Sequence, residues 1–221
     1  MKKSAPTKHR VLIVDDHPMM REGLAQLIEH EPDLLVESQA DSAAQALRAI
    51  EKSAPDLLLL DISLPDKSGL ELIKDVQSLR PGLRVLVVSM HDEALYAERV
   101  LRAGGRGYIM KQEGGKKLMQ AIRQILSGQI YVSEKISAKI LENFSGHRAD
   151  SHSPVEKLSD REFEVFQLLG QGSGTRDIAD RLHLSIKTVE VHRANVRKKL
   201  ELANGGELVR YAIRWNESQK P

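Results

Sequence analysis

The stretch LLLLDISLPDKSGLEL, residues 57–72, decides the fold. Four consecutive leucines run straight into an aspartate. An apolar run of strand length with no polar alternation is the pattern of a strand covered on both faces, as in a parallel sheet flanked by helices. Pro65 and Gly69 punctuate the loop that follows. Residues 70–79 then place apolar side chains three to four apart, the spacing of a helix. Working outward, the same unit recurs. Apolar runs of strand length occupy residues 11–14, 34–36, 85–88 and 108–110, and helical spacing occupies residues 23–28, 43–50, 94–101 and 118–126. Pro18 suits a first helical position, and Ser42 with Gln45 reads as a capping box. Five strand–helix units predict an α/β fold, a doubly wound five-stranded parallel sheet with helices on both faces. In such a sheet the working site lies at the carboxyl ends of the strands.

The composition narrows the chemistry. The 221 residues are 41% hydrophobic and 29% charged, which supplies a core and excludes wholesale disorder. Cysteine is absent, which excludes disulfide scaffolds, thiolate metal sites and cysteine nucleophiles. No apolar run approaches the roughly 18 residues of a membrane helix. The basic opening MKKSAPTKHR leads into too short an apolar run for a signal peptide. A soluble cytoplasmic protein that makes no membrane contact is expected. Net charge is only +2 and is uneven: residues 1–130 hold 18 Lys+Arg and 18 Asp+Glu, whereas residues 174–220 hold 10 and 6. A positive excess at one end suits a polyanionic partner.

The pattern changes after residue 128. Residues 143–157, NFSGHRADSHSPVEK, are polar and rich in Gly, Ser and His, the composition of a linker, and residues 131–141 carry a further helical spacing. From Leu158 the chain is all helical. Ser159 with Glu162 makes a capping box, and Gly172 and Gly174 end that helix. Thr175 caps a short helix over residues 176–182, residues 183–184 turn the chain, and Ser185 caps a third helix over residues 186–200. Asn204 with Glu207 caps a fourth over residues 208–215. A short helix, a tight turn and a longer basic helix form the layout of a helix-turn-helix. The expected domains are residues 1–128, a linker over 129–157, and a small four-helix domain over 158–221.

Every predicted strand of the first domain ends in a polar or charged group directly after its apolar run. Asp15 and Asp16 close the first, Asp61 the third, Ser89 the fourth and Lys111 the fifth. Taken singly, an aspartate in such a place is an ordinary turn or cap. Together these residues would converge on one edge of the sheet. Three carboxylates repel unless something compensates them, and Mg²⁺ favours a few carboxylates, retained waters and a phosphate oxygen. A carboxylate can itself become an aspartyl-phosphate. Phosphoryl transfer needs positioning and charge neutralisation above all. Asp15 and Asp16 on a metal, Asp61 attacking, and Lys111 with Ser89 holding the product would meet those needs.

The motifs VLIVDDHPMMREGL (11–24), LLLLDISLPDKSGLEL, VLVVSMHDE (85–93) and GGRGYIMK (104–111) resemble the receiver domain of two-component response regulators, a flavodoxin-like fold. The separations of 28 from Asp61 to Ser89 and 22 from Ser89 to Lys111 are those of that family. The resemblance implies that Asp61 accepts a phosphoryl group from a sensor histidine kinase. It also implies Mg²⁺ on Asp15, Asp16, Asp61 and the Ser63 carbonyl. Ser89 and Tyr108 would form a switch pair, the aromatic ring turning inward. The side chains of Ser63 and His91 occupy positions that tune phosphoryl hydrolysis in the family. Gly105 stands where alanine is usual, implying a looser turn.

On the third helix of the second domain, Val189, Val196 and Leu200 share an inward face. Lys187, Glu190, Val191, Ala194, Asn195 and Lys198 lie opposite, flanked by Arg193, Arg197 and Lys199. A recognition helix needs this division: an apolar stripe inward, mixed groups for base edges outward, and cations for phosphates. Thr175 and Thr188, near helix starts, join the DNA-contact candidates. The stretches LSDREFEVFQLLGQG (158–172), TRDIADRLHLSIKTVEVHRANVRKKL (175–200) and NGGELVRYAIRW (204–215) resemble the LuxR-type helix-turn-helix. Receiver plus this output is similar to the NarL/FixJ subfamily. The resemblance implies dimer contacts from Leu208, Val209, Tyr211 and Ala212. It implies four partners: the cognate kinase, promoter DNA, a second copy and RNA polymerase. Gly205 and Gly206 depart from the usual arginine-bearing turn, and Glu190 stands where many relatives carry lysine.

Two other functions compete. A stand-alone aspartyl phosphatase of the haloacid-dehalogenase type wants a carboxylate two residues past the nucleophile, where this chain has Ser63, and no general acid is evident. Self-phosphorylation and slow self-dephosphorylation at Asp61 would then be the only chemistry. A constitutive DNA-binding regulator would use the receiver as a phosphorylation-independent docking module, and the intact acidic cluster speaks against it. His9, His30, His147, His152 and His183 have no ligand spacing and read as surface residues.

Overall fold

The computed structural model describes residues 8–144 and 154–218, and the chain divides into two compact units, Met1–His147 and Arg148–Pro221. In the first unit, five strands alternate with five helices. They are β1 (His9–Val14), α1 (Pro18–Glu29), β2 (Leu34–Ala40), α2 (Ala43–Lys52), β3 (Leu57–Leu60), α3 (Gly69–Leu79), β4 (Arg84–Ser89), α4 (Glu93–Arg102), β5 (Gly107–Met110) and α5 (Gly115–Leu126). The strands are all parallel, in the order β2-β1-β3-β4-β5. This is the doubly wound sheet that the apolar runs predict. The chain reverses its direction of winding between β1 and β3, so their carboxyl ends open a crevice.

The core explains the sequence pattern. Each leucine of β3 is at most 1% exposed. Val11, Ile13, Leu57, Leu59, Leu86, Val88 and Ile109 pack with Leu24 and Ile28 of α1 and with Leu118, Ala121, Ile122 and Ile125 of α5. The alternate residues Leu12, Val14, Leu58 and Leu60 point to the opposite face and are equally buried. Each such leucine contributes about 2 kcal/mol of transfer free energy before entropic losses.

In the first unit, local expectations fail in three places, each for a tertiary reason. β2 extends to Ala40, beyond the expected residues 34–36, through Glu37, Ser38 and Gln39. It is an edge strand, so polar residues are tolerated there. Its register on β1 shifts between Val11 and Leu12. Ser42 is the N-cap of α2 but makes no side-chain cap hydrogen bond. Instead both oxygens of Asp66 accept from the α2 backbone, Ala43 N–H and Ala44 N–H, each at 2.9 Å. Gly105 does not loosen its turn. A Cβ there would lie 2.5 Å from Val100 Cγ1 and 2.9 Å from the Val100 carbonyl oxygen, so its lack of a side chain permits a tight approach.

The expected linker is divided. Tyr131 pairs beside Gly107 of β5. Tyr108 N–H donates to the Tyr131 carbonyl at 2.9 Å, and Tyr131 N–H donates to the Arg106 carbonyl at 3.0 Å. Helix α6 (Glu134–Phe144) follows and packs against α4, burying Ile136. Residues 145–153 of the expected linker, with His147 and His152, lie outside the described residues.

The second unit contains a 3₁₀ turn (Pro154–Lys157), then α7 (Asp160–Gly170), α8 (Thr175–Arg181), α9 (Ile186–Lys199) and α10 (Gly205–Ser218). The Ser159–Glu162 capping box is present in both directions. Ser185 Oγ accepts from Thr188 N–H at 3.0 Å. Asn204 Oδ1 accepts from Glu207 N–H at 3.0 Å, and α10 begins three residues earlier than expected. Thr175 is not a cap: it is the first residue of α8, and Asp177 accepts from Gly174 N–H. His183, at φ 50°, turns the chain between α8 and α9 in the left-handed region. Phe163, Val165, Phe166, Ile178, Val189, Val196, Leu208 and Ala212 form the core of this unit. Among the described residues, no helix is long and apolar enough to cross a membrane.

Candidate functional site

The carboxyl ends of β1, β3, β4 and β5 place Asp15, Asp61, Ser89 and Lys111 together, as the spacing predicts. Asp15, Asp61 and Ser89 are buried, at 1%, 4% and 0% exposure. Lys111 Nζ lies 2.7 Å from Oδ2 of both Asp15 and Asp61. The Asp61 contact is a hydrogen bond, and the Asp15 contact is an ion pair without hydrogen-bond geometry. Burial pushes the Asp61 carboxyl above its ordinary pKa, and Lys111 opposes that push. Burial also works against the Lys111 ammonium, yet the facing carboxylates of Asp61 and Asp15 outweigh it and hold its pKa above the ordinary value.

Asp16 Oδ1 is buried without a hydrogen-bond donor, and Asp15 Oδ2 is met only by the charge of Lys111 at 2.7 Å. A buried carboxylate oxygen without a donor beside two further carboxylates suits a hard divalent cation, so these residues fit one. Asp15, Asp16, His17 and Asp61 each offer a ligand atom within 4.8 Å of the others. His17 escaped the sequence reading, although it directly follows the acidic pair.

The flanking residues also converge. Ser63 N–H donates to Asp61 Oδ1 at 3.4 Å. Ser63 Oγ lies 3.0 Å from His91 Nε2, joining the two positions expected to border the phosphoryl group. The His91 ring stacks beside Tyr96 with centroids 4.8 Å apart. Burial lowers the His91 pKa, against the pull of Asp61. Tyr108 stands in the inward position expected of the switch, fully buried, with its hydroxyl donated to the His91 carbonyl at 2.8 Å. Burial raises its phenol pKa. Ser89 Oγ accepts from His91 N–H at 3.3 Å. His91 thereby ties the fourth and fifth strand ends to the loop after β3.

In the second unit, α9 divides as expected. Val189 and Val196 are fully buried, and Leu200, which follows the helix, is 9% exposed. Lys187, Glu190, Val191, Ala194, Asn195, Arg197 and Lys198 are exposed. Thr188 and Arg193 are half-buried. Two of the expected phosphate-binding cations already have partners inside the unit: Arg193 Nη1 donates to Thr175 Oγ1, and Lys199 Nζ pairs with Glu162 Oε2 at 2.6 Å. Two of the four dimer candidates are buried inside the unit. Leu208 and Ala212 are 1% and 0% exposed, packed within the unit, and Tyr211 packs its ring on Phe166. Val209 keeps partial exposure.

A doubly wound sheet with an aspartate–lysine cluster at its carboxyl edge, joined to a helix-turn-helix, defines a receiver protein with a DNA-binding output. The comparisons with known proteins agree. Residues 11–123 match the response regulator receiver domain, and residues 156–212 match the bacterial regulatory proteins of the luxR family. The chain is 32% identical over 210 residues to the oxygen regulatory protein NreC of Staphylococcus haemolyticus, covering 93% of this chain and 97% of that one. It is 33% identical over 210 residues to NreC of Staphylococcus aureus, with the same coverage. Among solved structures, a LuxR-family two-component response regulator from Aurantimonas sp. SI85-9A1 superposes with a TM-score of 0.58. It is 33% identical and covers 63% of this chain and 99% of its own. RcsB of Salmonella enterica serovar Typhimurium, bound to promoter rprA in the presence of phosphomimetic BeF₃⁻, gives a TM-score of 0.63 at 26% identity, over 93% of this chain and 98% of that one. This chain belongs to the two-component response regulators of the NarL/FixJ type, with a receiver domain and a LuxR-type helix-turn-helix.

Proposed function

We propose that this chain is a cytoplasmic transcription regulator whose DNA binding is controlled by phosphorylation of Asp61, the phosphoryl group coming from the phosphohistidine of a sensor kinase. The observation that carries the reading is the seat of Lys111 Nζ, 2.7 Å from both Asp15 and Asp61, beside the Asp16 carboxylate. Asp15, Asp16 and Asp61, with the Ser63 carbonyl, would hold Mg²⁺, which neutralises charge on a transferring phosphoryl group. An Asp61 carboxylate oxygen forms the new bond to phosphorus while the bond to the histidine nitrogen breaks. Lys111 holds the product oxygens by its charge, and the Ser89 hydroxyl supplies a donor. The chemistry would be confined to the chain's own acyl phosphate at Asp61. The relative bound to promoter DNA in the presence of a phosphomimetic supports the output half. The exposed face of α9 would enter the major groove, and phosphorylation would bring two copies onto two half-sites.

The test is phosphate incorporation from a small phosphodonor with Mg²⁺, resolved on a phosphate-affinity gel. Wild type should shift and Asp61→Asn should not. No shift in either protein, with the chain folded, would favour the constitutive binder. On the output side, Lys187→Ala or Lys198→Ala should weaken binding to every sequence alike and lower the salt slope by about one each. Glu190→Ala should change which sequence is preferred.

A further inference from the structure

Arg193 stands apart from the other cations of α9. Lys187, Arg197 and Lys198 are exposed, whereas Arg193 is half-buried. Its guanidinium reaches back across the helix-turn-helix, where Nη1 donates to Thr175 Oγ1 on α8. A threonine hydroxyl has one proton to give and two lone pairs to receive with. Here a lone pair takes the Arg193 proton, so the hydroxyl's own proton is directed to another acceptor. Among the described residues, no protein group accepts it. The other threonine among the DNA-contact candidates differs. Thr188 Oγ1 lies 2.7 Å from Ser185 Oγ, so these two hydroxyls satisfy one another at the start of α9.

Thr175 belongs to α8, the first helix of the helix-turn-helix. In such a motif the first helix crosses the sugar–phosphate backbone while the second lies in the groove. The acceptor met there is a phosphate oxygen, and an anionic oxygen takes a hydroxyl proton in a short, strong hydrogen bond. We propose that Arg193 is a positioning residue: it fixes the Thr175 hydroxyl with its proton outward, and Thr175 holds one DNA phosphate in its place. The proposal rests on the reading of α9 as the helix that enters the major groove. It deepens that reading by taking one cation out of the phosphate-binding set and assigning a neutral donor. The two roles differ measurably. A cation on a phosphate releases counterions and steepens the salt dependence of binding, whereas a neutral hydroxyl does not.

The experiment uses the full chain, treated with a small phosphodonor and Mg²⁺, and a duplex that wild type selects from a random-sequence pool. Affinity is measured against KCl concentration for wild type, Thr175→Val, Thr175→Ser, Arg193→Met and the Thr175→Val/Arg193→Met double variant. A hydrogen bond to a charged acceptor is worth about 10- to 100-fold. Thr175→Val should weaken binding by that factor, and Thr175→Ser should bind as wild type does. Arg193→Met keeps the apolar stem and removes the donor. It should weaken binding by no more than Thr175→Val does, with the salt slope changed by less than about half a unit. The double variant should be no weaker than Thr175→Val, because both changes remove one interaction. Phosphate ethylation interference should lose the same backbone position in each half-site for both single variants, with the rest of the pattern kept. A strut that only braced α8 against α9 would blur the whole pattern. A slope lower by about one for Arg193→Met, additive losses, a blurred pattern, or wild-type binding by either Thr175→Val or Arg193→Met would each overturn the proposal. If no duplex is selected, or Lys198→Ala leaves the salt slope unchanged, the reading of α9 as the groove helix itself falls and the proposal with it.

Discussion

The backbone N–H of Tyr108 donates to the carbonyl of Tyr131 at 2.9 Å. The same residue's hydroxyl donates to the His91 carbonyl, on the loop that borders Asp61. One residue of β5 therefore touches both the acidic site and the segment that leads into α6. A second tie lies close by: Ser133 N–H donates to Glu93 Oε1 at 2.7 Å, fixing the start of α6 to the first turn of α4.

That tie can be tested alone. Glu93→Ala removes a charged acceptor from a half-buried amide, a loss of about 1.5 kcal/mol. Amide hydrogen exchange along α6 should quicken roughly tenfold. Exchange in β1 and β3 should not change. Unchanged exchange in α6 would show that Ile136 and the Tyr131 pairing hold the helix without Glu93.

Asp66→Ala should destabilise the receiver by about 1 kcal/mol, because two orphaned amides of α2 lose their acceptor. Asp66→Asn should recover part of the loss. Ser42→Ala, at the formal N-cap, should have a smaller effect. Chemical denaturation of the three variants ranks them.

The second unit should weaken in acid through Glu162. Burial alone would raise its carboxyl, but Lys199 and Ser159 hold the charged form and bring the pKa below the ordinary 4.5. A lowered folded-state pKa gives stability that is present above the unfolded value and is lost as pH falls through the folded one. The melting temperature of wild type should therefore drop faster than that of Glu162→Gln as pH falls below about 4.5, the two converging at the acid end. Parallel curves would mean that the ion pair contributes nothing.

Gly170→Ala should destabilise the second unit by about 1–3 kcal/mol, as overpacking does. Alanine is the better helix former by about 1 kcal/mol, so an isolated α7 would gain. In the folded unit the added Cβ would lie 2.6 Å from the Ala212 carbonyl oxygen and 3.1 Å from Asn216 Cβ, on α10. Thermal melts of the variant decide the sign.

The amino-acid sequence by itself determined the five strand–helix units, the parallel sheet and the residues at its carboxyl edge. The reason is that a strand buried on both faces has a periodicity of its own, and a polar residue directly after it can lie only at the sheet edge. It also determined the inward and outward faces of α9, which follow from 3.6-residue spacing. Tertiary structure alone decided what meets across long separations. The α2 cap comes from Asp66, more than 20 residues away, because an exposed loop carboxylate can reach free amides that Ser42 does not satisfy. Ser63 meets His91, Arg193 meets Thr175, and Lys199 meets Glu162 through packing that no local pattern encodes. Leu208 and Ala212 likewise turn inward because α7 and α10 pack against each other, and a helix's own spacing does not reveal whether its apolar stripe faces its own domain or another copy.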